Sequence, residues 1–474
     1  MMPILWPKAR IVFSLCLTAL FTMPFVTAGD LNPPGSPTPT MVDLDEINSG
    51  VHTAANNAHD AEVAALAAQD PRRPVQSLSG SATARYEITF RGSYYLTGDI
   101  EGQPGLSGIE ISASDVTLDL NGFTLLGRTG TLDGIRVVPG TGDVPRRNIT
   151  IMNGTVERWD QDGIDARLAN SSQFRNLRLD DNDEEGLEVG ESCLVQGCTI
   201  TASGMSGIKA QEDCEIRDCV TNGNGTISAG CGIVANSDGI IVVNCISGQN
   251  SEHGIATGTR STVIGCHTFE NGGGATHLGR GIVAGTGSTV VDCTADLNGL
   301  GDTEQEGIFA GAGSTVRGCT AEGNGDNGIS VSSGSTVESC TARGNGNNGI
   351  FAYDGATVRG CTSSDNGRHG IQVNNRGRVI GNTCVDNGTN AFLNGAGVDA
   401  MGAGNVIEDN VCIGGPYGID TNGVDSIENF VVGNRIHDAT TPFSGTGNDY
   451  FAPAYDISSN PYPTDPDPYT NWVY

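Results

Sequence analysis

The chain is poor in aromatic residues, poor in basic ones, and has no long helical stripe in its central region. Aromatics are 5% of the 474 residues, so the interior has to be narrow enough for Val, Ile, Ala and Cys to fill it. Between residues 196 and 367 no unbroken apolar stripe recurs at 3.6-residue spacing, which excludes a helical repeat there. Lys and Arg number 25 against 55 Asp and Glu, a formal net charge of −30. Phosphate backbones are bound through a basic stripe, so nucleic acid is excluded as a partner class. A polyanionic glycan is disfavoured by the surface as a whole, unless salt screens the field or bound Ca²⁺ inverts it locally.

What is present is one short phrase, written eight times between Gln196 and Gly367. The cleanest copies read GSTVRGCTAEGNGDNGIS from Gly313, GSTVESCTARGNGNNGIF from Gly334 and GATVRGCTSSDNGRHGIQ from Gly355, a period of 21 residues. Apolar residues alternate over two or three positions and then turn at Gly or Asn, which is strand behaviour. Three short strands and three turns per phrase predict one coil of a parallel β-helix, stacked on the next at about 4.8 Å. One slot holds Cys198, Cys219, Cys245, Cys266, Cys293, Cys319, Cys340 and Cys361, then Asn382, Asn410 and Asn434. A slot that takes either residue suits an inward bend with a side-chain ladder. A second ladder runs through Asn224, Asn250, Asn271, Asn298, Asn324, Asn345, Asn366 and Asn387. Counting the Gly-plus-apolar pairs that open a strand, from Gly108 to Gly418, predicts about fourteen coils over residues 80–440. The expected class is all-β, a single-stranded parallel solenoid, with an N-terminal helix and an irregular C-terminal tail.

Residues 1–28 read as a secretory signal peptide. Lys8 and Arg10 precede a mostly apolar run over 11–21, and Val26-Thr27-Ala28 supplies the small residues of a cleavage point. The expectation is a secreted, extracellular or cell-surface protein that does not span a membrane. Thirteen cysteines remain. The regular ladder argues that most are free thiols used as small core residues, while Cys193 and Cys214, in another slot on adjacent coils, are candidates for a disulfide. Residues 29–40 form a Pro-rich linker. Leu44, Ile47, Val51, Ala54, Ala58, Ala61 and Ala65 then predict an amphipathic helix within 41–70. It either caps the first coil or joins subunits as a short coiled coil, giving a homo-oligomer through residues 44–65. Residues 441–474, rich in aromatics and Pro, are expected to fold back over the last coil.

The coils, with GSYYLTGDI at Gly92 and VTLDLNGFTL at Val116, resemble right-handed parallel β-helix repeat proteins of the pectate-lyase-like superfamily. They are similar to secreted bacterial members of unknown activity. The resemblance covers roughly residues 80–440 and implies a right-handed helix with a substrate groove along the outer face of the first strand of each coil. One fold hosts many functions, so it implies little about chemistry.

The residue after each Gly-apolar pair should face that groove: Arg136, Asp165, Glu188, Lys209, Val234, Ala256, Val283, Phe309, Ser330, Phe351, Gln372, Asp399 and Asp420. Extra residues gather just before this strand, at 225–231, 272–280, 299–306 and 388–396, as a loop wall. Arg136, Asp165, Glu188 and Lys209 lie on successive coils and form either a salt-bridge ladder or a catalytic group. Lys209 is the one lysine after residue 28. As a base it needs a lowered pKa, which flanking carboxylates oppose. Asp160, Asp162, Asp183 and Glu185 in the adjoining turns are hard oxygen ligands suited to Ca²⁺. The resemblance implies lyase-like chemistry, in which Ca²⁺ neutralises a uronate carboxylate while Lys or Arg takes the neighbouring proton. The arginine usual beside that lysine is here Val234. Phe309 and Phe351 could stack on sugars, and His253 and Arg280, in the turn row before the strand, could add polar contacts. The expected function is binding, with lyase-like cleavage, of an extracellular polysaccharide; the alternative is a noncatalytic adhesion or structural protein.

Overall fold

The computed structural model describes residues 72–273, 279–299, 305–390, 394–423, 427–445, 447–456 and 469–474. The expected signal peptide, linker and amphipathic helix, with the oligomerisation reading of residues 44–65, lie outside the described residues.

Each phrase folds as three strands of three residues, for example Thr315–Arg317, Thr320–Glu322 and Ile329–Val331. All strand pairs are parallel and join one coil to the next in register. One sheet takes a single strand from each coil, sixteen in all among the described residues, from Ala84–Ile88 to Thr441–Gly445. The other two strands of each coil make the second, bent sheet. The solenoid therefore has about sixteen coils rather than fourteen. The two extra coils, at Ala84–Ile88 and Thr441–Gly445, open on Tyr86 and Phe443 and lack the Gly-apolar pair. The expected irregular tail is in part the last coil: Thr441–Gly445, Tyr450–Phe451 and Asn471–Val473 continue the ladders.

The interior follows from strand alternation. Ile308, Ala310, Val316, Cys319 and Ala321 of one coil are all buried, directly above their counterparts. The residue before the Cys slot takes left-handed backbone at Gly265, Asp292, Gly318 and Ser339 (φ 52° to 64°), which turns the chain inward. The Asn ladder is continuous. The Oδ1 of Asn345 accepts both the backbone N–H and the Nδ2–H of Asn324, each at 3.0 Å, while Asn324 Nδ2 also donates to Ala295 O at 2.9 Å. A side chain that satisfies a buried backbone donor on every coil removes the cost of the turn. The glycine opening each strand is forced by this ladder. A Cβ on Gly307 would lie 2.5 Å from Asn324 Nδ2 and 2.8 Å from Gly328 O.

All thirteen described cysteines are free. Cys193 and Cys214, a disulfide candidate, stack without a disulfide, the backbone N–H of Cys193 donating to Cys214 Sγ at 3.3 Å. Parallel register points both thiols the same way, and each donates to a carbonyl of the coil beneath, Cys193 to Ala169 O (2.9 Å) and Cys214 to Gly190 O (3.0 Å). Among the described residues no helix is long and apolar enough to cross a membrane.

Candidate functional site

The single-strand sheet carries the outward row on its solvent face. Register pairs Arg136 with Asp165, Asp165 with Glu188, Glu188 with Lys209 and Lys209 with Val234. It continues through Val283, Phe309, Ser330, Phe351, Gln372, Asp399 and Asp420.

At its first end the row is a two-level charge cluster. Asp165 and Glu188 are buried, as are Asp133, Asp162 and Glu185 in the turn just before the strand. The cations stand above them. Lys209 Nζ lies 3.0 Å from Glu185 and 3.2 Å from Glu188; Arg167 lies 3.3 Å from Asp165 and 3.7 Å from Glu188; Arg136 lies 3.8 Å from Asp165 and 3.9 Å from Asp133. Side-chain exposure is 45% for Lys209 and 49% for Arg167, against 5% for Asp165 and 9% for Glu188. Solvent therefore meets positive charge here, although the chain is strongly acidic.

The buried carboxylates outnumber the cations that reach them. Burial, then Asp165, pushes Asp133 up to about 6 despite Arg136. Burial, then Glu185, Asp133 and Asp165, pushes Asp162 up to about 9. Burial also raises Glu188, against the pull of Lys209. For Lys209, burial pulls downward, but Glu185 and Glu188 outweigh it and the net shift is upward. Lys209 is thus held as an ammonium, a charge partner before it is a base.

The four expected metal ligands divide between two sides of the turns. Asp162 and Glu185 belong to the buried cluster, where oxygens of Asp133, Asp162 and Asp165, and of Asp162, Glu184 and Glu185, come within 4.8 Å of one another. Asp160 and Asp183 line a separate hollow with Arg128, Arg158 and Asp181, and Asp160 accepts the N–H of Gly130 at 2.6 Å. Asp160 and Asp162 lie in an irregular bend where strand alternation does not hold, and they part to different sides although they are two residues apart. The sequence reading missed Asp133 and Arg167, and it placed Glu184 in the acidic turn without naming it as a ligand. Asp133 and Asp162 occupy the pre-glycine turn position that later holds His253 and Arg280, so following that row upstream was the signal. Arg167 follows the strand by one residue, and no periodicity marks it.

Further along, Phe309 is half-buried under Arg280, whose guanidinium carbon sits 4.9 Å from the ring centroid. Arg280 also ion-pairs with buried Glu306, and its backbone N–H donates to His253 Nδ1 at 3.1 Å. Burial holds His253 below the usual imidazole range. Phe351 packs against Tyr353 at 4.7 Å. The structure thus joins His253, Arg280 and Phe309 in one cluster, and keeps Phe351 and the Lys209 group apart from it.

The family model described as "Right handed beta helix region" matches residues 162–314 and 263–387. Solved structures with similar folds include an N-terminal fragment of bacteriophage phi29 gene product 12 (12% identity, TM-score 0.51, covering 84% of this chain and 77% of that one). The A-module of the Azotobacter vinelandii mannuronan C-5 epimerase AlgE4 is also similar (14% identity, TM-score 0.39, 80% and 100% covered). So is the tailspike of E. coli bacteriophage HK620, in complex with a pentasaccharide (12% identity, TM-score 0.38, 81% and 72% covered). No curated protein matches this sequence.

Proposed function

Starting from the chain as a right-handed parallel β-helix repeat protein, we propose that it binds an extracellular polysaccharide in the groove along its single-strand sheet. The observation that carries this reading is the two-level cluster: Arg136, Arg167 and Lys209 present exposed cations over four coils of an otherwise acidic rod. An acidic sugar chain laid there meets positive charge where it touches, and fixed salt bridges hold the cations in place without reorganisation. Phe309 and Phe351 continue the same floor with ring faces suited to the apolar sides of sugars.

The finer reading is lyase-like cleavage of a uronate-containing glycan. Asp133, Asp162, Asp165, Glu184 and Glu185 fit Ca²⁺: they are hard oxygen donors in two close groups that share Asp162, and burial followed by carboxylate neighbours raises Asp133 and Asp162. Bound Ca²⁺ would supply a charge to neutralise the uronate carboxylate. Glu185 serves both this group and the Lys209 ion pair. With Ca²⁺ held by this group, Glu185 would be shared with the metal, Lys209 would keep Glu188 as its remaining partner and lie closer to a proton-accepting state, and Arg136 would be the cation facing the substrate carboxylate. Asp160 and Asp183 fit a second, exposed ion position less well, because Arg128 and Arg158 share their hollow.

The second reading, a noncatalytic surface or adhesion protein, is favoured by one observation. Lys209 rests fully ion-paired. A glycan panel incubated with and without Ca²⁺, followed by absorbance of unsaturated products and by calorimetry, separates the two. Lys209→Ala should abolish product formation while changing affinity little, since a base acts in the transition state. Binding without product in every condition leaves the adhesin reading. No binding to any glycan overturns both.

A further inference from the structure

Six to nine coils beyond Lys209 the same groove holds a polar group of different character. The turn row Asn327, Asn348 and His369 passes hydrogen bonds from coil to coil: Asn348 N–H donates to Asn327 Oδ1, and His369 N–H donates to Asn348 Oδ1, both at 3.2 Å. His369 continues the chain by accepting the N–H of Ala396 on Nδ1 at 3.1 Å. An imidazole that accepts on Nδ1 and is neutral carries its proton on Nε2. That Nε2–H is buried and has no hydrogen-bond partner, although Asp399 Oδ2 stands 3.5 Å away. His369 is 3% exposed and Asp399 7%.

Asp399 is itself held from one side. Asn348 Nδ2 donates to Gln372 Oε1 at 3.0 Å, and Gln372 Nε2 donates to Asp399 Oδ2 at 2.6 Å. In register above Asp399 lies half-buried Asp420, and below Gln372 lies Phe351, braced by Tyr353. A buried N–H left unpaired beside a locked carboxyl is costly unless something else serves it. Groove residues from Phe351 to Asp420 therefore run as ring, amide, carboxyl, carboxyl, with an imidazole N–H behind.

We infer that Phe351, His369, Gln372, Asp399 and Asp420 form a second saccharide subsite, one that selects an uncharged sugar residue. The inference rests on the groove being a glycan site. Carboxyl and amide groups grip sugar hydroxyls, and a ring accepts the C–H face. A uronate there would set a third carboxylate against Asp399 and Asp420, while the Lys209 group offers three cations to the same ligand. Arg368 is the cation whose field reaches His369 and Asp399, and it is not part of the floor row. The glycan read by the whole groove is thus mixed, charged toward the first coils and neutral toward the last.

The test is calorimetry of the full chain with neutral hexasaccharides (cello-, xylo- and maltohexaose) and with hexagalacturonate. At least one neutral hexasaccharide should bind. Asp399→Asn should weaken it tenfold or more, with hexagalacturonate affinity unchanged and Arg136→Ala showing the converse pattern. Asp399 is buried, so Phe351→Ala and Asp420→Asn, on the surface, provide second variants that should each weaken neutral binding at least threefold. If the uronate binds and no neutral sugar does, or if all three variants bind neutral sugars like the parent, the subsite is overturned and the groove reading stands. If neither class binds, both readings fall.

Discussion

The inside and the outside of each coil obey different rules. Inside, Cys319 sits above Cys293 and below Cys340, Asn324 above Asn298 and below Asn345, and nothing distinguishes one coil from its neighbour. Outside, on the strand of the same coils, the row reads Arg, Asp, Glu, Lys, then Val, and later Phe, Ser, Phe, Gln, Asp. The interior is narrow, so one side chain per slot must suit both neighbours and the choice is fixed by stacking. The outer residues also stack coil on coil, but their face opens to solvent and no fixed volume has to be filled, so each coil can carry its own chemistry. A stacked fold therefore separates stability from function by direction rather than by domain.

The sharpest way to break that separation is to write outside chemistry inside. Cys319→Asp places an unpaired carboxylate in a slot with 1% exposure, and should cost more than about 4 kcal/mol or prevent folding. Denaturant melting decides it, and a variant that melts like the parent would sink the assignment of the slot to the core. Asn324→Ala should cost less, about 2–3 kcal/mol, because it removes one carboxamide but orphans the buried N–H of Asn298. The same substitution at half-buried Asn347, whose side chain donates to Asp326, should change stability by under about 0.5 kcal/mol. Equal effects at the two sites would erase the distinction.

On the outside, charge sets the stability. Asp162, held near 9, binds a proton in the folded state that the unfolded chain releases around the ordinary carboxylate range. Folding therefore strengthens as pH falls from about 9 toward 6.5, by on the order of 2 kcal/mol. Asp133 and Asp399, both raised to about 6, extend the same trend lower. His253, held low, and His369, held near 3, act oppositely below about 6.5, since the unfolded chain takes up their protons first. The melting temperature should rise as pH falls from about 9 to about 6.5 and level off near 6, where the two imidazoles begin to offset the three carboxyls. Asp162→Asn should flatten the alkaline limb, and millimolar Ca²⁺ at pH 8 should raise the parent's melting temperature by mass action. A parent with no alkaline limb and no response to Ca²⁺ would remove the buried acidic group from consideration as an ion site.

How much was legible in the sequence follows from the same division. The ladders, the groove row and its register could be read because stacking repeats them every 21 residues or so, and insertions shift the period without changing the phase. Coils opened by Tyr86 and Phe443 were missed because edge coils have a neighbour on one side only and can drop the glycine. The turn carboxylates were legible as a set, but not their division, since whether Asp160 or Asp162 faces the groove depends on a single backbone turn. Disulfide chemistry between Cys193 and Cys214 was suggested by proximity alone, and side-chain direction overrode it. Arg167 and the His369–Asp399 contact depend on side chains meeting across coils of different length, which no period encodes.

The smallest effect expected is the most specific to the groove. Phe309 has Arg280 over its ring, so a sugar that stacks on that face has to displace or share the guanidinium. Phe309→Ala should therefore weaken glycan binding by about 1 kcal/mol, near the middle of what a ring contact contributes beyond its area. Arg280→Lys, which keeps a charge but loses the planar cover, should leave affinity within a factor of two or improve it. Loss of binding in Arg280→Lys together with parent-like binding in Phe309→Ala would reverse the roles, making the guanidinium the contact and the ring its support. Parent-like binding in both would place the glycan elsewhere on the sheet, because a ligand crossing these coils cannot avoid the pair.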